Sequence, residues 1–223
     1  MKKIHLLFGL MSGLMIYTLP LLSQNTDIKK NLFTFQVGPS WYIGNFMGIT
    51  NYSDQYQNNL QNGISWNATY YYLGRRSPSK PYKLAPGLIY QGGRYKNRHE
   101  EGSDKILMHY IAPQLALYLF KHRYNLSLAV GAGYQLYSDK STVFGKAREV
   151  SMNKFAYNLV AAGEYVLSPQ WGVSARLDWI KSRSDNYSVD YHGIKWSVED
   201  PQINKGKEHF SQLSLLIGLN YHF

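Results

Sequence analysis

The chain contains no cysteine. That absence excludes disulfides, thiolate metal sites and a cysteine nucleophile. It also removes the N-terminal cysteine on which a lipoprotein would be acylated. Charge is scarce too: Asp, Glu, Lys and Arg make up 17% of the residues, against roughly a quarter in ordinary soluble domains. Beyond the N-terminal segment there is no long apolar run, and mean hydropathy is −0.36. A bundle of membrane-spanning helices is thereby excluded. Helical periodicity is hard to find. The 7 histidines are scattered without paired spacing, so no metal site is expected. No zinc-finger spacing, long basic run or recognition helix occurs, so nucleic acid is not an expected partner.

What is present is aromatic. Phe, Trp and Tyr reach 15%, with 20 Tyr among the 223 residues. The net charge is +10, and its bases lie in turns and loops, as at Arg75, Arg76 and Lys80, at Lys121 and Arg123, and at Lys205 and Lys207. A basic balance of this kind suits a protein beside anionic lipid headgroups. Many aromatics and few charges fit strands that face lipid on one side and polar groups on the other. The length suffices for one small barrel.

Residues 1–23 read as a secretory signal. Lys2 and Lys3 form the positive start, Ile4 to Leu22 is mostly apolar, and Pro20 breaks the helix. Ser23 is a small residue at a plausible cleavage point, after which Gln24 begins the mature chain. Leu21 is less than ideal three residues before the bond. An uncleaved anchor is the alternative, since the apolar run nearly spans a bilayer. Residues 24–30 are then a short periplasmic segment, and 31–223 a single barrel domain.

From residue 31 onward the pattern has period two, in segments of a length that crosses a bilayer when tilted. Eight such segments are expected: Asn31–Tyr42, Asn62–Gly74, Tyr82–Tyr95, Ile106–Phe120, Asn125–Ser138, Phe155–Leu167, Gly172–Arg183 and His209–Phe223. In the fifth, Leu126, Leu128, Val130, Tyr134 and Leu136 alternate with Ser127, Ala129, Gly131, Gly133 and Gln135. The connections alternate in length. Short turns fall at 75–81, 121–124 and 168–171; long loops fall at 43–61, 96–105, 139–154 and 184–208. An even strand count with turns on one rim and loops on the other implies an all-β, eight-stranded, antiparallel transmembrane up-and-down barrel, with the long loops outside the cell. A soluble barrel or sandwich also alternates. Two features favour the membrane: apolar residues run to both ends of one face, and aromatics gather near strand ends as interface girdles, at Trp41, Trp66, Tyr82, Tyr95, Tyr124, Trp171 and Tyr221.

The last segment, with Ile217, Leu219, Tyr221 and Phe223 at alternate positions, resembles the C-terminal signature of outer-membrane barrels. The resemblance implies an outer-membrane location and recognition of these residues by the barrel-assembly machinery. The stretch from Tyr110 to Phe120, with Pro113 in mid-strand, resembles the PorT-like barrels of Bacteroidetes. As a pattern, residues 31–223 are similar to the small eight-stranded OmpA/OmpX-like barrels.

Eight strands leave an interior just wide enough for side chains, so an open pore is not expected. Polar residues are expected to fill it, among them Gln36, Asn67, Gln91, Gln114, Gln135, Asn158, Gln212 and Asn220. If the turn after the sixth segment loops out Pro169, Gln170 and Trp171, Glu164 faces Arg176 in the lumen with Asp178 nearby. The expectation is a plug of satisfied ion pairs; a gate or proton path is the alternative. His209 and Ser211, two apart on one strand, resemble the spacing of lipid A deacylase barrels, but Gln212 and Leu213 depart from the residues that follow there, and no orienting acid is evident apart from the adjacent Glu208. The expected role is therefore non-enzymatic, structural or surface-binding, with no cofactor. A lipid A hydrolase and an accessory barrel of a secretion or conjugation system are alternatives. The expected partners are outer-membrane lipid and lipopolysaccharide around a monomer.

Overall fold

The alternation becomes ten strands and one short helix in the computed structural model, which describes residues 29–43, 54–74, 81–99, 102–121, 123–184, 186–199 and 208–223. In chain order they are β1 (Asn31–Ile43), α1 (Asp54–Leu60), β2 (Asn62–Tyr72), β3 (Tyr82–His99), β4 (Gly102–Lys121), β5 (Tyr124–Val143), β6 (Lys146–Val166), β7 (Trp171–Ser184), β8 (Asn186–Tyr191), β9 (Ile194–Glu199) and β10 (Glu208–His222). Neighbours from β1 to β7 pair antiparallel, β7 pairs with β10, and β10 returns to β1. Eight strands therefore close into an up-and-down barrel with no open edge, the form in which a sheet can satisfy its backbone in lipid. Closure is sealed where the Asn31 N–H donates to the Phe223 carbonyl at 2.9 Å, and the Phe223 N–H to Asn31 at 3.0 Å.

Sidedness follows the sequence pattern. Phe35, Leu84, Leu128, Leu159 and Ile217 face outward and are exposed, whereas Gln36, Asn67, Gln91, Gln135 and Gln212 are buried inside. Outward aromatics ring the short-turn end at Tyr72, Tyr82, Tyr124 and Trp171. The Tyr221 ring lies 4.8 Å from Trp171 and stacks on Phe223. Trp66 lies across from Gly92 on the outer surface, and a Cβ on Gly92 would clash with its indole. Pro113, which has no N–H to give, faces outward where the β4–β5 ladder lapses between Ile111 and Gln114.

Three sequence expectations need correction. The first concerns Tyr95, which is not part of a girdle: it has the same parity as Gln91 and is fully buried inside. The second is the extent of the loops. Residues 96–105 and 139–154 are mostly strand, because β3–β4 and β5–β6 run on as long hairpins. The latter turns at Phe144 (φ 49°) and Gly145 (φ 76°), the positive-φ pair of a tight hairpin turn. Within 184–208, β8 and β9 form a further hairpin, turned at His192 and Gly193, that adds to the upper part of β6. Within 43–61 lies α1. These extensions stand above the outward apolar belt as a crown; from Leu136 to Val143 it rises about 24 Å along the strand.

The third is register. Trp171 begins β7 instead of being looped out: the Leu167 and Ser168 N–H groups both donate to the Trp171 carbonyl, at 2.9 and 3.0 Å, and the Trp171 N–H donates to Ser168 Oγ at 3.0 Å. The loop is thus 168–170, not 169–171. Glu164 then faces Ser174, and Arg176 faces Ala162.

Candidate functional site

Inside the barrel, side chains stack in layers along the axis. Nearest the short-turn end, Leu32, Tyr71, Leu73, Tyr118 and Phe120 form an apolar floor. Beside it sits Glu164, whose Oε1 lies 2.6 Å from His222 Nε2 and whose Oε2 accepts from Asn125 Nδ2 at 2.8 Å. The neighbouring Ser174 hydroxyl accepts from Gln36 at 2.7 Å and donates to Asn220 at 2.8 Å. Glu164 therefore finds its partner on β10, not in Arg176.

Arg176 is held by Asp178 on its own strand, through Nη2 at 2.7 Å and Nε at 3.1 Å. Both side chains are buried. Asn158 donates to Asp178 at 3.3 Å, and Asn158 Oδ1 accepts from Tyr110 and Gln114 at 3.2 and 3.1 Å. Tyr71 donates to Gln114 at 2.6 Å. A charge in this setting is tolerable only when paired and hydrogen-bonded, and this network supplies both. A cavity of about 20 Å³ lies among Gln36, Tyr71, Asn125, Glu164 and Arg176. It has room for a water molecule and none for a larger solute.

Above the membrane-level layers the interior becomes apolar again, with Tyr42, Tyr95, Ile106, Met108, Tyr137 and Met152. The helix α1 adds Tyr56 and Leu60 to this cluster. The expected polar filling is therefore confined to the middle of the barrel. Within the crown, Arg148 on β6 lies 3.3 Å from Asp104 and 3.5 Å from Asp139. The Tyr56 hydroxyl donates to Asp104 at 2.5 Å, which ties α1 down over the barrel mouth. Burial, reinforced by the negative Asp104, raises the Asp139 carboxyl to about 7 even with Arg148 beside it. Nothing in the sequence near Asp104 or Asp139 marks them as one site, because they lie on different strands and meet only across the sheet.

The other sequence candidates are placed as follows. Cross-strand partners of His209 and Ser211 are Arg183 and Lys181 on β7; Ser211 also faces Ile43 on β1. The register thus puts no carboxylate directly across from either. Ile217, Leu219 and Phe223 are exposed on the outer face of the last strand. The cleavage point at Ser23 and Gln24 lies outside the described residues. No group of His, Asp and Glu suited to a metal ion occurs among the described residues.

No family model matches the sequence, and no curated protein is significantly similar to it. Solved structures are similar in fold. A major outer membrane protein from Thermus thermophilus aligns over 86% of this chain and 99% of its own, with a TM-score of 0.55 at 15% identity. The Neisserial surface protein A covers 87% of this chain and 97% of its own, with a TM-score of 0.53 at 9% identity. OprG from Pseudomonas aeruginosa covers 90% and 99%, at 0.53 and 10%. At these identities the likeness concerns architecture. A closed eight-stranded ring, an outward apolar belt and these neighbours together define the fold as that of the small outer-membrane β-barrels.

Proposed function

We propose that the protein resides in the bacterial outer membrane as a closed, non-enzymatic barrel that holds a surface-binding crown outside the cell. In this reading the short turns and both chain ends face the periplasm, as in barrels of this class. The observation that carries it is the contrast along the axis: a lumen closed by buried side chains at membrane level, beneath hairpins that extend well beyond it. The crown displays Phe144, Ile194 and Trp196, which are 74%, 68% and 44% exposed. Aromatic and aliphatic groups on a rigid scaffold are suited to contact. Outer-leaflet lipid and lipopolysaccharide surround the belt, and Ile217, Leu219, Tyr221 and Phe223 serve as the signal for the barrel-assembly machinery. Planar-bilayer recording of the refolded chain tests the closed barrel. The expected result is a baseline without discrete conductance steps; reproducible single-channel steps would overturn it.

A further inference from the structure

The outer surface of the crown carries a row of like charges on neighbouring strands. Lys96 on β3 lies directly opposite Lys105 on β4, and Lys105 directly opposite Lys140 on β5. All three are exposed, as are Arg94 and Arg98, which flank Lys96 on the same face of β3. Like charges placed directly across a sheet destabilise it. Asp104 and Asp139, each adjacent in sequence to one of the lysines, point inward and are buried; among the described residues the carboxylate directly across from the row is Glu149, opposite Lys140 at its β6 end. Glu149, across from Lys140 on β6, accepts the Ser138 hydroxyl at 3.3 Å. Among the described residues, Lys96, Lys105 and Lys140 make no ion pair.

The row's height gives it meaning. Two residues below Lys105 on the same face is Leu107, followed by His109, Ile111 and Leu115; below Lys140 come Ser138, Leu136 and Tyr134. Lys105 and Lys140 therefore sit about 7–14 Å along their strands above the apolar belt, the level of lipid headgroups, and Lys96, across the sheet from Lys105, about 20 Å above Tyr90 on its own strand. At the top of the belt Tyr90 and His109 stack and share a 2.8 Å hydrogen bond. A soluble polyanion would have no need of a site aligned with lipid in this way.

We propose that Lys96, Lys105 and Lys140 form a binding site for the phosphorylated headgroup of an outer-leaflet glycolipid, whose acyl chains lie along the belt beneath. The inference rests on the outer-membrane orientation given above and names the anionic partner on that side. A headgroup phosphate placed between the lysines supplies counter-charge to Lys96 and Lys105, which face no carboxylate directly across the sheet. Each lysine near an anionic surface contributes about fivefold to affinity, and three on the order of a hundredfold.

The test uses the full mature chain refolded in detergent and titrated with diphosphoryl lipid A and with the same lipid dephosphorylated. The phosphorylated form is expected to bind at least about tenfold tighter. In K96Q/K105Q/K140Q that preference disappears, while K121Q, at the opposite rim, retains it. K105Q alone is expected to raise the melting temperature in phosphate-free lipid, because it removes the central like charge, and to reduce the stabilisation gained from lipid A. Equal binding of both lipids, or a triple variant that binds like the parent, overturns the site. Displacement of lipid A by a soluble sulfated polysaccharide at comparable anion concentration reassigns the row to a soluble partner and also overturns it. Orientation is read separately: the chain has no cysteine, so K140C on intact cells reports by its labelling with an impermeant maleimide whether the crown faces outward.

Discussion

The same strands obey opposite rules in the membrane and above it. Within the belt, β5 turns Leu128, Val130, Tyr134 and Leu136 outward, while Gly131 and Gln135 face the interior. Higher up, β5 turns Lys140 outward and Tyr137 inward. β3 switches from Leu88 and Tyr90 outside with Gln91 inside to Arg94 and Lys96 outside with Tyr95 inside. β6 goes from Phe155 and Tyr157 outside with Asn158 inside to Ser151 and Asn153 outside with Met152 and Val150 inside. The period never changes; only the solvent does. Lipid accepts apolar groups on the outer face and polar groups withdraw to a hydrogen-bonded core. Water reverses the preference, so the crown is built like a soluble sheet. The lysine row lies just beyond the point where one rule gives way to the other.

The contrast can be broken at its polar centre. Arg176→Met leaves Asp178 buried without its cation and is expected to cost about 3–5 kcal/mol in urea unfolding from vesicles. Arg176→Met with Asp178→Leu should recover most of that, since an apolar replacement of both partners is tolerated. A double variant as unstable as the single one would mean that the polar layer does more than satisfy itself. A charge on the belt probes the outer face: Leu128→Arg, at mid-height, is expected to cost about 2–4 kcal/mol by the same assay.

Asp139 sharpens the description of the crown. Its carboxyl titrates at about 7 when folded, well above its ordinary value of 3.8, chiefly because it is buried. Between those two values the folded state holds the extra proton, so stability falls as pH rises from about 4 to about 7. The crown is therefore expected to be firmer at pH 5 than at pH 8, read as slower hydrogen exchange in β5 and β6. Asp139→Asn should flatten that dependence and stabilise the crown at pH 8. A crown that loosens on acidification would contradict this picture. The smallest effect is the control: Ser151→Leu, on the water-facing outer side of β6, should change stability by no more than about 0.5 kcal/mol, where Leu128→Arg in the belt is costly.

Much of the architecture is legible in the sequence because lipid imposes a strong pattern. The apolar alternation at Leu126 to Leu136 and at Leu213 to Phe223 exposes both the strands and their outward faces. Where the outer face is wet, the signal fades. At 139–154, Lys140 and Thr142 alternate with Asp139 and Ser141, polar on both faces, and nothing in hydropathy separates a strand from a loop. The Glu164 partner is beyond reach for another reason. Its identity depends on where one turn closes, and moving that closure by one residue exchanges Arg176 for Ser174 across the strand and leaves His222 as the hydrogen-bond partner.

The sequence by itself determined the closed eight-stranded barrel, its outward apolar face and the aromatic ends of most strands, because period two and the lipid belt are properties of each strand alone. Tertiary structure decided which polar groups meet in the lumen, how far the hairpins rise, where α1 is held by Asp104, and that Lys96, Lys105 and Lys140 stand side by side. Those depend on register between strands, and register is set by turn closure and by packing across the ring, not by any one segment.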